Sequence, residues 1–74
     1  MLTVREAAAA VRELREQRGW SQLDLASRAR VSRSFVADLE SGKPTVEASK
    51  LLDVLQALGC EMALRDRESG ELRW

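Results

Sequence analysis

The apolar positions of this chain form four runs of helical spacing followed by one run that alternates. Val4, Ala7, Ala8, Val11, Leu14 and Arg15 keep a three–four spacing, with Arg5, Glu6, Arg12, Glu13 and Glu16 mostly on the opposite face. Thr3, with Glu6 three residues later, predicts a capping box at the start of this first helix. Gly19, which takes a left-handed conformation without strain, predicts its end. Trp20 follows directly and is expected to plug the core between two helices. A second helix is predicted from Ser21 to Ala29 with Leu23, Leu25 and Ala26 as its apolar set. A third runs from Ser32 to Ser41 with Val36 and Leu39, and ends at Gly42. Pro44 stops any continuation, and Thr45 is expected to cap a fourth helix, Val46 to Leu58. That helix carries Ala48, Leu51, Leu52, Leu55 and Leu58 on one face, and Gly59 closes it.

From Cys60 the period becomes two. Cys60, Met62 and Leu64 alternate with Glu61, Ala63 and Arg65, which is a strand signal. Ser69-Gly70 is turn-like, so Glu71 to Trp74 either returns as a second strand or trails as a tail. A single strand on a helical bundle exposes an edge, and pairing with the same strand of a second copy satisfies it. Cys60, Glu61, Met62, Ala63, Leu64 and Arg65 are therefore the expected dimer interface. A hairpin folded within one chain on the fourth helix is the alternative, weakened because two-stranded hairpins are marginal alone.

The spacing of the second and third helices sets the character of the whole. Only Ala29-Arg30-Val31-Ser32 separates their apolar sets, too short for a loop, with Val31 placed to fill the angle between them. Two short helices joined in this way make a helix-turn-helix. The third helix then presents Ser32, Arg33, Ser34, Ala37 and Asp38 outward. The predicted fold class is mainly α: a compact bundle of four short helices containing a helix-turn-helix, followed by a C-terminal β-strand that pairs across a dimer. The expected divisions are 1–59 for the helical domain, 60–66 for the dimerisation strand, and 67–74 for a hairpin return or tail.

Composition narrows the function. Seventy-four residues make one small domain, with a single Cys and no His. An intramolecular disulfide and the usual zinc ligand sets are therefore excluded, no cofactor or metal is expected, and dimerisation is the remaining support. With no His as general base, no Gly-rich phosphate cradle and Cys60 in an apolar stretch, no enzyme is expected. No stretch approaches the roughly 20 apolar residues of a membrane span, and Ala7 to Ala10 is interrupted too soon by Arg12 and Glu13 to be a signal peptide. A cytoplasmic protein with no membrane partner is expected. Twelve basic and twelve acidic residues cancel, so nucleic-acid binding, if present, must come from local placement.

Gly19-Trp20-Ser21-Gln22, then Leu25-Ala26, Val31-Ser32, Val36 and Leu39-Glu40-Ser41-Gly42, resemble the Cro/C1-type (XRE) helix-turn-helix family, which includes phage repressors. Leu55-Gln56-Ala57-Leu58 and the strand Glu61 to Arg65 are similar to HipB-type antitoxins, and the resemblance spans about residues 4 to 66. It implies a lambda-repressor-like bundle and double-stranded DNA as partner. It also implies that Gln22 contacts a phosphate and braces the recognition helix, and that Arg33, Ser34 and Asp38 meet base edges. Ser41, Gly42 and Lys43 would hold phosphate. One residue departs from the pattern: Arg30 stands where the family's turn usually has Gly, at a cost of about 1 kcal/mol that a phosphate contact can offset in part.

The chemistry of these side chains agrees. Arg33 can give two donors to guanine O6 and N7, Ser34 specifies weakly, and Ala37 offers only apolar contact. Asp38 can accept from cytosine N4 but is better suited to holding Arg33 or another basic residue in position. Ser21, Gln22, Arg30, Ser32, Ser41 and Lys43 are phosphate-class residues that set register and affinity, and Arg28 adds to the same field. Glu40 is assigned to structure, bonding backbone or a nearby Arg. The same charges would also suit a plain solvated surface, but they coincide with the family's contact positions. A two-fold dimer reading an inverted-repeat operator follows, with half-sites about one helical turn apart. The expected function is a sequence-specific repressor, the antitoxin of a HipBA-like pair that autoregulates its operon, with a HipA-type kinase toxin as partner and Trp74 as an anchor for it. The alternatives are a phage-type repressor without a toxin, or a protein-interaction module that does not read DNA.

Overall fold

The computed structural model describes residues 3–73. Four helices, α1 (Val4–Gln17), α2 (Gln22–Ala29), α3 (Arg33–Glu40) and α4 (Ala48–Ala57), are followed by two short strands, β1 (Leu64–Arg65) and β2 (Leu72–Arg73). Local chemistry sets the ends of α1 to α3. The Glu6 amide donates to Thr3 Oγ1 at 3.1 Å while the Thr3 amide donates to Glu6 Oε1 at 3.0 Å, the capping box read from the sequence. Gly19, at φ 69°, turns the chain out of α1. Ser21 and Asp24 form a second capping box on α2, and Ser32 Oγ accepts from the Phe35 amide at the start of α3. Each such cap contributes about 1 kcal/mol.

The core is small and draws on every helix: Val11 from α1, Leu25, Ala26 and Ala29 from α2, Val36 and Leu39 from α3, and Val54 and Leu58 from α4 and its cap. Val31 packs against it at the α2–α3 corner, as expected of a plug. Trp20 also packs against it but stays half-buried, its open ring face covered by the Arg28 guanidinium at 4.2 Å.

Three assignments are corrected. Leu23 is 60% exposed rather than part of the α2 apolar set. Residues two apart on a helix point to opposite sides, so Leu23 and Leu25 cannot share a face, and the inward row is Gln22, Leu25, Ala26 and Ala29. On α4 the inward row is Leu51, Val54, Leu55 and Leu58. Ala48 is exposed and Leu52 is 49% exposed, while Val54 is fully buried. Thr45 does not cap α4. The helix starts at Ala48 with Glu47 at the cap position and no side-chain cap bond, because Val46 turns into the core first and keeps the preceding segment extended.

The C-terminal segment returns after Ser69-Gly70 as a second strand, one of the two courses expected of it. β1 and β2 pair antiparallel with Leu64 opposite Arg73 and Arg65 opposite Leu72. The turn closes because Asp66 Oδ1 accepts from the amides of Glu68 and Ser69, and the Gly70 amide donates to Asp66 O at 2.7 Å. The strand is shorter than predicted, since Cys60 to Ala63 are irregular. The hairpin is exposed throughout, with Leu64 at 72% and Leu72 at 53%.

Arg30 caps α2 at φ 59° and ψ 41°, the only non-glycine residue at positive φ among those described. Arg30→Gly relieves that strain and is expected to raise stability by about 1 kcal/mol, equivalent to roughly 4–8 °C in Tm. Thermal melts followed by circular dichroism check this; an unchanged or lowered Tm contradicts it.

Candidate nucleic-acid interface

The α2–α3 corner aims one row of side chains away from the core. Val31 N–H donates to Ala26 O at 3.0 Å across the left-handed Arg30, and this tight reversal sets α3 across α2. Val36 and Leu39 face inward, so Arg33, Ser34 and Asp38 are all exposed. Ser34 and Asp38 are four apart and share a face, a short polar strip with Arg33 offset to one side at its start. Ala37 is half-buried and lines a groove of about 310 Å³ with Arg12, Arg15, Gln22, Glu40 and Ser41.

The phosphate-class residues surround this strip. The Ser21 and Ser32 hydroxyl oxygens each accept a capping amide, which leaves each O–H able to donate outward. Arg30, at the other end of α2 from Ser21, is exposed and lines a separate groove with Arg28, Asp53 and Gln56. After α3, Gly42 at φ 80° bends the chain back, and Lys43 N–H donates to Asp38 O at 3.2 Å. Lys43 Nζ then lies 3.5 Å from Asp38 Oδ2. Asp38 therefore holds Lys43, the other basic residue that its expected orienting role allowed, and not Arg33. Arg33 and Asp38 are five residues apart and diverge by about 140° around the helix. Ser41 donates its hydroxyl to Asp38 O at 2.7 Å, so its proton is already committed.

Behind the strip lies a polar cluster that sequence reasoning found only in part. Arg15 Nε donates to Glu40 Oε2 at 2.7 Å and Nη2 to Oε1 at 3.0 Å, a bidentate pair joining α1 to the end of α3. Arg15 Nη1 donates to Trp20 O at 2.7 Å, tying in the α1–α2 corner. The two side chains are 12% and 3% exposed. The bond to Glu40 raises the Arg15 guanidinium above its ordinary value despite the opposing burial, so it stays charged at any working pH. Gln22 Nε2 donates to Glu40 Oε1 at 3.3 Å. Glu40 was expected to bond a nearby Arg and does so. Arg15 had been placed within the apolar row of α1, and a charged residue in an inward row was the signal of a buried partner.

The residues expected at a dimer interface lie elsewhere. Cys60 is half-buried, with its Sγ 3.8 Å from Leu58 O, and Glu61, Met62, Ala63, Leu64 and Arg65 are exposed. Met62 and Leu64 line an open apolar groove with Leu52 and Arg73. The dimer and α3 sets therefore line different grooves. Trp74, the expected partner anchor, falls outside the described residues. Among those residues no helix is long and apolar enough to cross a membrane.

Comparison with known proteins agrees with this geometry. A helix-turn-helix family model matches residues 11–64. An uncharacterized HTH-type transcriptional regulator of Sinorhizobium fredii, y4mF, is 43% identical over 60 residues, covering 81% of this chain and 79% of that protein. The chain belongs to the Cro/C1-type (XRE) helix-turn-helix family of transcriptional regulators. Similar solved structures include an MDT protein, a HipA-HipB-O2-O3 complex and a HipB-O4 20mer complex. Each has a TM-score of 0.82 at 24% identity and covers 90% of this chain and 94% of the other. At that identity the likeness shows a shared fold. The helix-turn-helix family model spans α2 and α3 entirely and stops at Leu64, the first residue of β1.

The α2 capping box makes this family member's stability depend on acid pH. The Ser21 amide, followed by the Ser21 hydroxyl, holds the Asp24 carboxyl below the usual carboxylate range. A depressed folded-state value stabilises the fold above pH about 4 and is lost as pH falls through that value. Asp24→Asn is thus expected to lower stability at pH 7 and to flatten the acid limb below pH about 4. Urea melts of both proteins at pH 7 and pH 3 read this out; equal differences at the two pH values contradict it.

Proposed function

We propose that this chain is a sequence-specific, DNA-binding repressor acting as a homodimer on an inverted-repeat operator. The observation that carries the reading is the exposed strip of Arg33, Ser34 and Asp38 on α3. It is framed by the cap hydroxyls of Ser21 and Ser32 and by Lys43, with no large apolar residue among them. Arg33, at the first position of α3, suits guanine, Asp38 a cytosine amine, and Ser34 either. The surrounding hydroxyls and cations suit phosphate, which positions the helix without specifying sequence. The net charge of zero is no obstacle, because four of the acids, Glu61, Asp66, Glu68 and Glu71, lie away from this strip in the sequence.

The second part of the reading concerns partners. HipB, which shares this fold, has been captured with DNA and with HipA. By that analogy the chain is the cytoplasmic antitoxin of a HipBA-like pair, autoregulating its operon and binding a HipA-type kinase, with Trp74 as a candidate anchor. The dimer forms through Cys60 to Arg65. Leu52, Met62, Leu64 and Leu72 leave an apolar surface uncovered in one copy, and among the described residues no strand lies on the outer edge of β1.

Fluorescence anisotropy of the purified protein on its own upstream DNA, across a salt series, tests the DNA reading. Wild-type protein should bind two subunits per inverted repeat and lose affinity steeply as salt rises. Arg33→Ala is expected to cost about 1–3 kcal/mol and relax one base position, whereas Lys43→Ala weakens all sequences alike and lowers the salt slope by about 1. No preference over random DNA removes the repressor reading and leaves an interaction module. Sedimentation of Leu64→Asp tests the seam. A monomer with an unchanged helical spectrum supports it, and a persistent dimer places the contact elsewhere. A kinase-like reading frame beside this one, and co-purification of its product, distinguish an antitoxin from a phage-type repressor.

A further inference from the structure

The most buried charged group described in this protein is the Glu40 carboxylate, and it accepts three hydrogen bonds from two other helices. Its Oε2 takes Arg15 Nε, and its Oε1 takes both Arg15 Nη2 and Gln22 Nε2. An ion pair this enclosed gives little net stability, because desolvating two charges consumes most of their attraction. Its retention in so small a core calls for another account. The cluster forms the floor of the groove whose rim is Gln22, Ala37, Ser41 and Arg12, on the side of the bundle from which α3 presents its polar strip.

We propose that Glu40 is a positioning residue for DNA recognition, acting through Gln22; the inference rests on the repressor reading above. Gln22 is the first residue of α2, a place where a long amide side chain has several rotamers open to solvent. Glu40 accepts one hydrogen of its Nε2 and so holds the amide beside Ala37 and Ser41, with the second hydrogen free to donate to a phosphate oxygen. Arg15 fixes Glu40 in turn with two parallel hydrogen bonds, and anchors itself on Trp20 O. The chain of contacts runs from α1 through α3 to α2. The phosphate clamp is thereby set before DNA arrives, and no ordering cost falls on binding.

A double-mutant cycle on DNA affinity separates this from a purely structural role. Arg15→Met/Glu40→Leu replaces the pair with apolar side chains of similar size, and Glu40→Gln is the milder change, keeping one acceptor. Thermal melts first establish that each variant folds; if the double variant does not, Glu40→Gln carries the test. In the wild-type background either variant should lower operator affinity about tenfold, the worth of one charge-assisted hydrogen bond. In Arg15→Met/Glu40→Leu, which keeps the net charge, the salt slope should stay unchanged, as in Gln22→Ala alone, because a neutral amide releases no counterion. In the Gln22→Ala background the same changes should cost nothing further. Wild-type affinity in the Glu40 variants overturns the proposal, as does an equal loss in both backgrounds. Failure of the wild-type protein to prefer its own upstream DNA overturns the repressor reading itself, and this inference with it.

Discussion

Everything in this bundle depends on one geometric constraint, the tight reversal between α2 and α3. Val31 N–H reaches Ala26 O, Arg30 takes a left-handed conformation, and Val31 closes over the corner. That reversal brings Leu25 and Val36 into full burial against Val54. It also decides which side of α3 is left for solvent. With so few residues to bury, the domain has no second core to compensate for an error at this corner. Arg30 shows the strength of the constraint. The fold holds a long, charged residue in a backbone region that favours glycine rather than open the angle.

Around the corner, polar chemistry is layered by burial. The outer layer of caps, Thr3–Glu6, Ser21–Asp24 and Ser32–Phe35, is exposed and local, and it sets where helices begin. The inner layer, Arg15–Glu40–Gln22, is long-range and sets how α1, α2 and α3 lie against one another. Exposed pairs such as Arg12–Glu16 and Lys50–Glu47 add little to either, since water screens them. A helix-turn-helix regulator needs both layers. Caps make the helices, but recognition of a groove depends on the angle and height at which α3 is presented.

The far end of the molecule is organised differently. Past α4 the chain leaves the core, and the hairpin is held by the Asp66 turn and a short two-residue ladder. Its apolar residues face water, so the region draws little support from the core.

Much of this was legible along the chain. The four helices, the stop at Gly19, the capping boxes' starting residues, the corner at Ala29 to Ser32 and the outward placement of Arg33, Ser34 and Asp38 all follow from neighbours within four residues. Hydrogen bonds and side-chain periodicity at that range are properties of the local sequence. The inward row of α4 was misjudged because Leu51 and Leu52 are chemically equivalent, and only packing against α2 selects Leu51 and Val54 over Leu52. Thr45 failed as a cap because Val46 is drawn into a core assembled by other helices. Asp38 went to Lys43 because the bend at Gly42 carries Lys43 back past the end of α3. The convergence of Arg15, Glu40 and Gln22 is likewise a tertiary fact, bringing together side chains 25 and 18 positions apart. The sequence by itself determined the helices, the caps of α1 to α3 and the polar strip, because those depend on contacts within one or two turns. Only the tertiary structure decided which apolar face turned inward and which donors shared the buried carboxylate, because burial is defined by what the rest of the chain encloses.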